Sequence, residues 1–243
     1  IANFPTLRCL EQIRNDVCYH KANVKIVAVG GGFVYGPLGM SHHATEDIAI
    51  LRSLPAMTVI APGDPAEAAA ATNAIVEWPG PCYLRLGRAG EPVVHKTDID
   101  FQIGKAIRVC EGSDLTLIST GGMLASGVEV ARSLQQQGVS VRVLSMHTVK
   151  PIDTEAILAA TEETKAIATL EEHSVLGGLG GAVAEVLAES DGPRVPFVRL
   201  GVESAFAAKA GGQDYLRRVF GLSNDAIANS LVKLLDRARS RSI

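Results

Sequence analysis

Between residues 24 and 86, short β-branched runs alternate with helical segments, and this alternation constrains the fold more than any other feature of the chain. Val24–Val29 reads as a buried strand that Gly30, Gly31 and Gly32 end. A glycine-rich loop carrying His42 and His43 follows. Next comes a helix to about Leu54, with Thr45 as its cap, Glu46 and Asp47 in its first turn, and Pro55 as its stop. Residues 57–61 form a second strand. Asp64-Pro65-Ala66-Glu67 opens another helix, with a cap, a proline at the first helical position and an acid three residues after the cap. That helix ends near Trp78-Pro79-Gly80, and 82–86 is a third strand. Such a pattern predicts a parallel sheet covered on both faces. Open sheets of this kind bind small molecules at the carboxyl ends of their strands. Ahead of it, Leu7, Leu10, Ile13 and Val17 share one face of a helix over 6–19.

Residues 87–103 hold Gly, Pro and mixed charges without a helical period, and they read as a connection. A second alternating block follows. Its strands fall at about 104–109, 115–119, 139–145, 165–170 and 195–200, and its helices at about 122–137, 153–163, 178–190, 211–220 and 223–239. The first two strands, close together around Glu111-Gly112-Ser113-Asp114, suggest a hairpin and hence a mixed sheet with an antiparallel edge. The fold class is α/β with two doubly wound domains, the first sheet parallel and the second mixed. The expected division is 1–89, a linker at 90–103, and 104–243.

A chain of 243 residues that is 47% hydrophobic and 20% charged can fill both cores. A net charge of −3 gives no reason to expect nucleic acid or an anionic membrane as partner. The basic tail RARSRSI reads as solvated, and no apolar run reaches membrane-spanning length. Cys9, Cys18, Cys82 and Cys110 are scattered, with no C-x-x-C pair, as expected of free thiols in a reducing cytoplasm.

His42-His43 is the sharpest site signal. Adjacent side chains on a loop diverge, so joint metal binding is not expected, but one of the two can face a ligand. Arg85, near the end of a central strand, either clamps a carboxylate or phosphate or pairs with a neighbouring helix. His20, His95, His147 and His173 read as structural or solvated, with His173 the first candidate exception. The run Gly177-Gly178-Leu179-Gly180-Gly181 has Val183 where a dinucleotide motif needs its third glycine, so close helix–strand approach explains it better. Gly121-Gly122 offers backbone N–H groups to an anion.

With these residues in place, the chain resembles the C-terminal section of a transketolase along essentially its whole length. EQIRNDVCYHKANVKIVAV resembles the helix and strand of that family's pyrimidine-binding domain. LGMSHHATEDIAILRSLPAMTVIAPGD resembles its His-bearing loop, Glu-Asp helix and Pro-Ala-Asp turn, and GPCYLRLGR its strand with a substrate-contacting Arg. SMHTVKPID and TLEEHSVLGGLGGAVAEVLAE resemble its C-terminal domain.

The resemblance implies thiamine diphosphate-dependent transfer of a ketol unit from a ketose to an aldose, part of cytoplasmic carbohydrate metabolism. It implies a separate N-terminal subunit that binds the diphosphate and Mg²⁺, and a dimer of this chain within a heterotetramer. The pyrimidine-binding domain is expected to lack its first part, including the family's cofactor-activating Glu. Phe4 matches an aromatic that packs on the aminopyrimidine. His42 falls on the active-site His, where it would contact substrate oxygens and stabilise a developing alkoxide. Arg85 falls near the Arg that binds the sugar phosphate or carboxylate. Leu38 stands where the family usually has a hydroxyl-reading Asp, and Gly30 roughly where another substrate-contacting His is expected. Both departures point away from the standard pentose-phosphate substrates. Rival readings are a deoxyxylulose-phosphate synthase, the beta chain of a 2-oxoacid dehydrogenase, and an inactive interaction subunit.

Overall fold

A computed structural model describes residues 1–240. Two mixed sheets lie side by side. The first is built on three parallel strands, β1 (Lys25–Val29), β2 (Thr58–Ile60) and β3 (Cys82–Leu86), with β3 between the other two. The helix α1 (Asn3–Arg8) and the short α2 (Leu10–Gln12) precede β1 and run into a π-helical turn, Ile13–Cys18. The single helix expected over 6–19 is therefore broken. The backbone leaves helical geometry at Cys9, so Ile13 is buried while Leu7 turns outward, 56% exposed.

The loop after β1 leads into α3 (Asp47–Ser53), and α4 (Pro65–Glu77) connects β2 to β3. Thr45 does not cap α3: Glu46 holds the N-cap position, with no side-chain cap bond. The cap of α4 forms as expected, with Asp64 Oδ1 accepting from Glu67 N–H at 2.8 Å. Glu67 in turn accepts from Gly63 N–H at 2.7 Å. β1 is an edge strand and not a buried one, because only β3 pairs with it, and Val27 and Val29 are exposed.

The second sheet holds β4 (Ile107–Cys110), β5 (Leu115–Ser119), β6 (Val141–Ser145), β8 (Ile167–Ser174) and β9 (Phe197–Val202), in the order β4-β6-β5-β8-β9. All pairs are parallel except β4 with β6. The antiparallel edge strand is present, but the hairpin joining β4 to β5 is not. Both edges of the fully buried β5 are taken by β6 and β8. The chain instead crosses the start of β6 at Gly112, where an added Cβ would lie 2.1 Å from Arg142 N. A short strand absent from the sequence reading, β7 (Thr148–Lys150), leaves this block and pairs antiparallel with β2, so the first sheet is only mostly parallel.

The helices α5 (Leu124–Gln135), α6 (Thr154–Glu163), α7 (Leu179–Glu189), α8 (Gln213–Val219) and α9 (Asn224–Arg239) complete the second layer system. The cores interpenetrate. Phe33 from the loop after β1 packs in the core of the second sheet, and Val149 and Ala182 pack in the core of the first. No helix among the described residues is long and apolar enough to cross a membrane.

Candidate active site

Gly30 ends β1 in the left-handed region at φ 90°, and a Cβ there would fall 2.1 Å from the Tyr35 ring. That ring fills the space a side chain at position 30 would need. Gly32, at φ 63°, then exchanges two backbone hydrogen bonds with Ala44, at 2.8 and 2.9 Å. Residues 33–43 are thereby closed into a loop with a narrow neck, folded by two 3₁₀ turns, Gly36–Leu38 and Met40–His42.

This loop brings His42 against Phe4, with their rings edge-on and centroids 5.3 Å apart. Ser41 Oγ lies 3.0 Å from His42 Nδ1, and Asn3 Nδ2 donates to Ser41 O at 2.5 Å, which ties α1 to the loop. Beside Asn3, Phe4 and Ser41 lies a hollow of about 480 Å³, lined also by Leu7, Met40, Ile50 and Phe206. His43 turns inward. It is buried, edge-on to Phe33 at 5.2 Å, with its Nε2 3.3 Å from Gly36 O. A carbonyl partner assigns the proton to Nε2 and leaves Nδ1 an acceptor. That Nδ1 and Asn3 Oδ1 are buried without hydrogen-bond partners at the wall of the hollow. An aromatic wall with two unsatisfied acceptors suits a flat heteroaromatic ring bearing N–H donors.

Arg85 is 6% exposed. Its Nε donates to Asp47 Oδ2 at 2.8 Å, and its Nη2 to the carbonyls of Ala44 and Glu172 at 2.8 and 3.1 Å. Tyr83 Oη donates to the same Asp47 oxygen at 2.6 Å. Burial works against the Asp47 charge, but Arg85, His173 and the Tyr83 hydroxyl together hold the carboxyl below its usual range. Arg85 thus sits behind the His42 loop, paired with α3. Arg88, three residues on, is exposed at an open cleft of about 520 Å³.

The structure adds Glu171, Glu172 and His173, which sequence reasoning did not place at the site. They lie where β8 runs past the last pair it makes with β5, so they reach the first sheet. Glu171 accepts from Leu179 and Gly180 N–H, both at 2.7 Å, yet burial pushes its pKa up to about 7. His173 is fully buried. Its Nδ1 lies 2.8 Å from Ser174 O and its Nε2 accepts from Ala49 N–H at 3.3 Å, so burial keeps it neutral, with a pKa of about 4. The sequence singles out His173 only as the first candidate exception among the structural histidines, and its expected strand ends at 170, short of all three residues.

His147 stacks on Phe101 at 4.0 Å, and His95 lies 2.9 Å from Glu67. The glycines of 177–181 serve close approach: a Cβ on Gly178 would lie 2.1 Å from Glu171. Gly121 N–H is already used by Ala61 O at 3.0 Å. All four thiols are free. Among the described residues, no three or more His, Cys, Asp or Glu side chains are grouped to hold a metal ion.

A His-bearing loop at the carboxyl ends of parallel strands, backed by a second α/β domain, defines a two-domain α/β protein with its candidate ligand site at the strand ends. Family models agree. Residues 2–91 match the transketolase pyrimidine-binding domain, and residues 104–227 the transketolase C-terminal domain. The chain belongs to the transketolase family, whose members depend on thiamine diphosphate. It is 37% identical to one of the subunits of an apulose-4-phosphate transketolase from Phocaeicola vulgatus, over 96% of this chain and 74% of that protein. It is 38% identical to a 6-deoxy-6-sulfo-D-fructose transketolase subunit of a Clostridium species, over 98% and 73% of the two chains. A split-gene transketolase, solved as an inactive beta4 tetramer, superposes with a TM-score of 0.89 at 40% identity, covering 97% of this chain and 75% of that one.

Proposed function

We propose that this chain is the C-terminal subunit of a split transketolase and moves a ketol unit from a ketose to an aldose, together with an N-terminal subunit. The observation that carries the reading is His42 held against Phe4, which lines an aromatic hollow, in a chain of this family. Phe4, with Asn3 and His43 beside it, would hold the aminopyrimidine of thiamine diphosphate. When bound, that cofactor supplies the electron sink for cleaving the bond next to a carbonyl. His42 is positioned to donate to a substrate oxygen as charge develops on it. Arg85 supports the site from behind by fixing Ala44, and the diphosphate and its Mg²⁺ fall to the N-terminal subunit. Alone, the chain is then inactive.

The donor or acceptor is not one of the standard pentose phosphates. Leu38, 57% exposed in the loop, offers no acceptor for a substrate hydroxyl, and Tyr35 fills the space beside Gly30. The two relatives above are named for apulose 4-phosphate and 6-deoxy-6-sulfo-D-fructose. We assign the assembly to the cytoplasm, as a heterotetramer built on a dimer of this chain.

The test is to mix the full-length protein with its N-terminal subunit, thiamine diphosphate and Mg²⁺, and assay a panel of ketose donors and aldose acceptors. Ketol transfer that needs both chains and the cofactor is expected, with xylulose 5-phosphate and ribose 5-phosphate poor substrates. Ready turnover of that pair would sink the specificity proposal, and no transfer from any donor would sink the enzymatic one.

A further inference from the structure

The loop carrying His42 is pinched where Gly32 and Ala44 exchange backbone hydrogen bonds. Glu172, from the second sheet, reaches both sides of that neck. On one side its Oε1 accepts from Phe33 N–H at 2.6 Å. On the other, its carbonyl and that of Ala44 share one donor, Arg85 Nη2, at 3.1 and 2.8 Å. The carboxylate is fixed from behind by Gln213 Nε2, at 2.9 and 3.2 Å, and by Arg217 Nε. Both of these donors lie on α8.

The loop is shaped for this approach. A Cβ on Gly32 would lie 2.3 Å from Glu172 Oε1, and one on Gly36 would lie 2.4 Å from Gly211 O. Phe33 also stacks on Phe220, with centroids 5.2 Å apart. Glu172 itself is 4% exposed. A buried ion pair is weak grounds for stability, since well-packed apolar residues often do as well. A carboxylate that ties the neck of one loop to α8 is better explained by the position it fixes.

The geometry points to Glu172 as a positioning residue for His42: through this side chain, the second sheet and α8 hold the loop in register. The inference deepens the transketolase reading and rests on His42 acting at the reaction centre.

The test uses the full-length protein assembled with its N-terminal subunit and thiamine diphosphate. Native enzyme is compared with Glu172→Ala and Glu172→Gln by steady-state kinetics and by methyl NMR of ¹³C-labelled methionines. Met40 sits in the loop, while Met57 and Met146 are buried in the two sheets' cores and report folding.

Glu172→Ala is expected to lower kcat by about 10²-fold while KM for the donor changes less than about threefold. Glu172→Gln still accepts from Phe33 N–H and should recover about tenfold of that loss. The Met40 methyl should shift or broaden in Glu172→Ala while Met57 and Met146 hold. An unmoved Met40 signal, or a kcat within about threefold of native, overturns the inference. If Glu172→Ala loses the core signals, Gln213→Ala, which loosens the same carboxylate, replaces it with the same criteria. If the native assembly transfers no ketol unit, the functional reading fails, while Met40 still decides whether Glu172 holds the loop.

Discussion

His42 and Arg85 show how differently two charged side chains near one site can be used. His42 is half-buried on a loop, and its ring nitrogen Nδ1 is met only by its neighbour Ser41. Such a group can meet a ligand. In the assembled enzyme, His42→Ala should lower kcat by about 10²–10³-fold, measured as ketol transfer, if it stabilises developing charge. A loss below about threefold would remove it from the chemistry. Arg85 is buried with Asp47. Removing one partner leaves the other charge uncompensated, so Arg85→Leu should cost about 3–5 kcal/mol by denaturant unfolding. The double variant with Asp47→Leu should cost clearly less than the sum of the single changes; strict additivity would deny the coupling. The pair His42-His43 was legible in the sequence because histidines on a glycine-rich loop after a strand have a chemical reading by themselves, and the family resemblance pointed to His42. For Arg85 the sequence allowed two readings, since the acid it pairs with is 38 residues away. Glu172 was not legible at all: the N–H it serves is 139 residues earlier.

Among the elements, those with local signals formed where expected. Asp64-Pro65-Ala66-Glu67 starts α4 because the cap oxygen, the proline and the acid all act within one turn. Asp64 does more than cap, since its Oδ2 also accepts from Val94 and His95 N–H, both at 2.9 Å. Asp64→Ala should therefore cost more than the roughly 1 kcal/mol usual for a cap, about 2–3 kcal/mol by chemical denaturation. A cost under about 0.5 kcal/mol would show that neither role matters. Elements set by distant partners were misread. The link at 111–114 is short enough for a hairpin, yet β4 pairs with β6, because β5 is claimed on both sides by parallel neighbours. The strand β7 is three residues long and exists only because the edge of β2 is there to receive it.

At the scale of the whole molecule, the two sheets are joined by a buried polar seam whose protonation couples stability to pH. His147 and His173 have pKa values pulled from 6.5 to about 4 by burial, and Glu171 is pushed from 4.5 to about 7. Between pH 4.5 and 6.5, the unfolded chain binds two more protons at the histidines, while the folded chain keeps one more on Glu171. The two histidines outweigh Glu171, so stability rises with pH across that window, less steeply near its lower end, where burial also holds the proton on Glu91. Glu171→Gln removes the opposing proton and should steepen the rise. Above it His95, raised by its hydrogen bond to Glu67, works the other way: its contribution is present below its unfolded pKa and is lost as pH rises through the folded one. Unfolding free energies measured from pH 4.5 to 6.5 check this, and a flat profile would contradict it. The sequence by itself determined the α/β class, most of the strands and helices, the family and the loop with His42, because periodicity, caps and turns act over a few residues. Only the tertiary structure decided which strands pair, that Phe33 belongs to the second sheet's core, and that Glu172 grips the neck of the loop. Those choices depend on burial and on hydrogen-bond partners from tens of residues to well over a hundred apart, which no local pattern encodes.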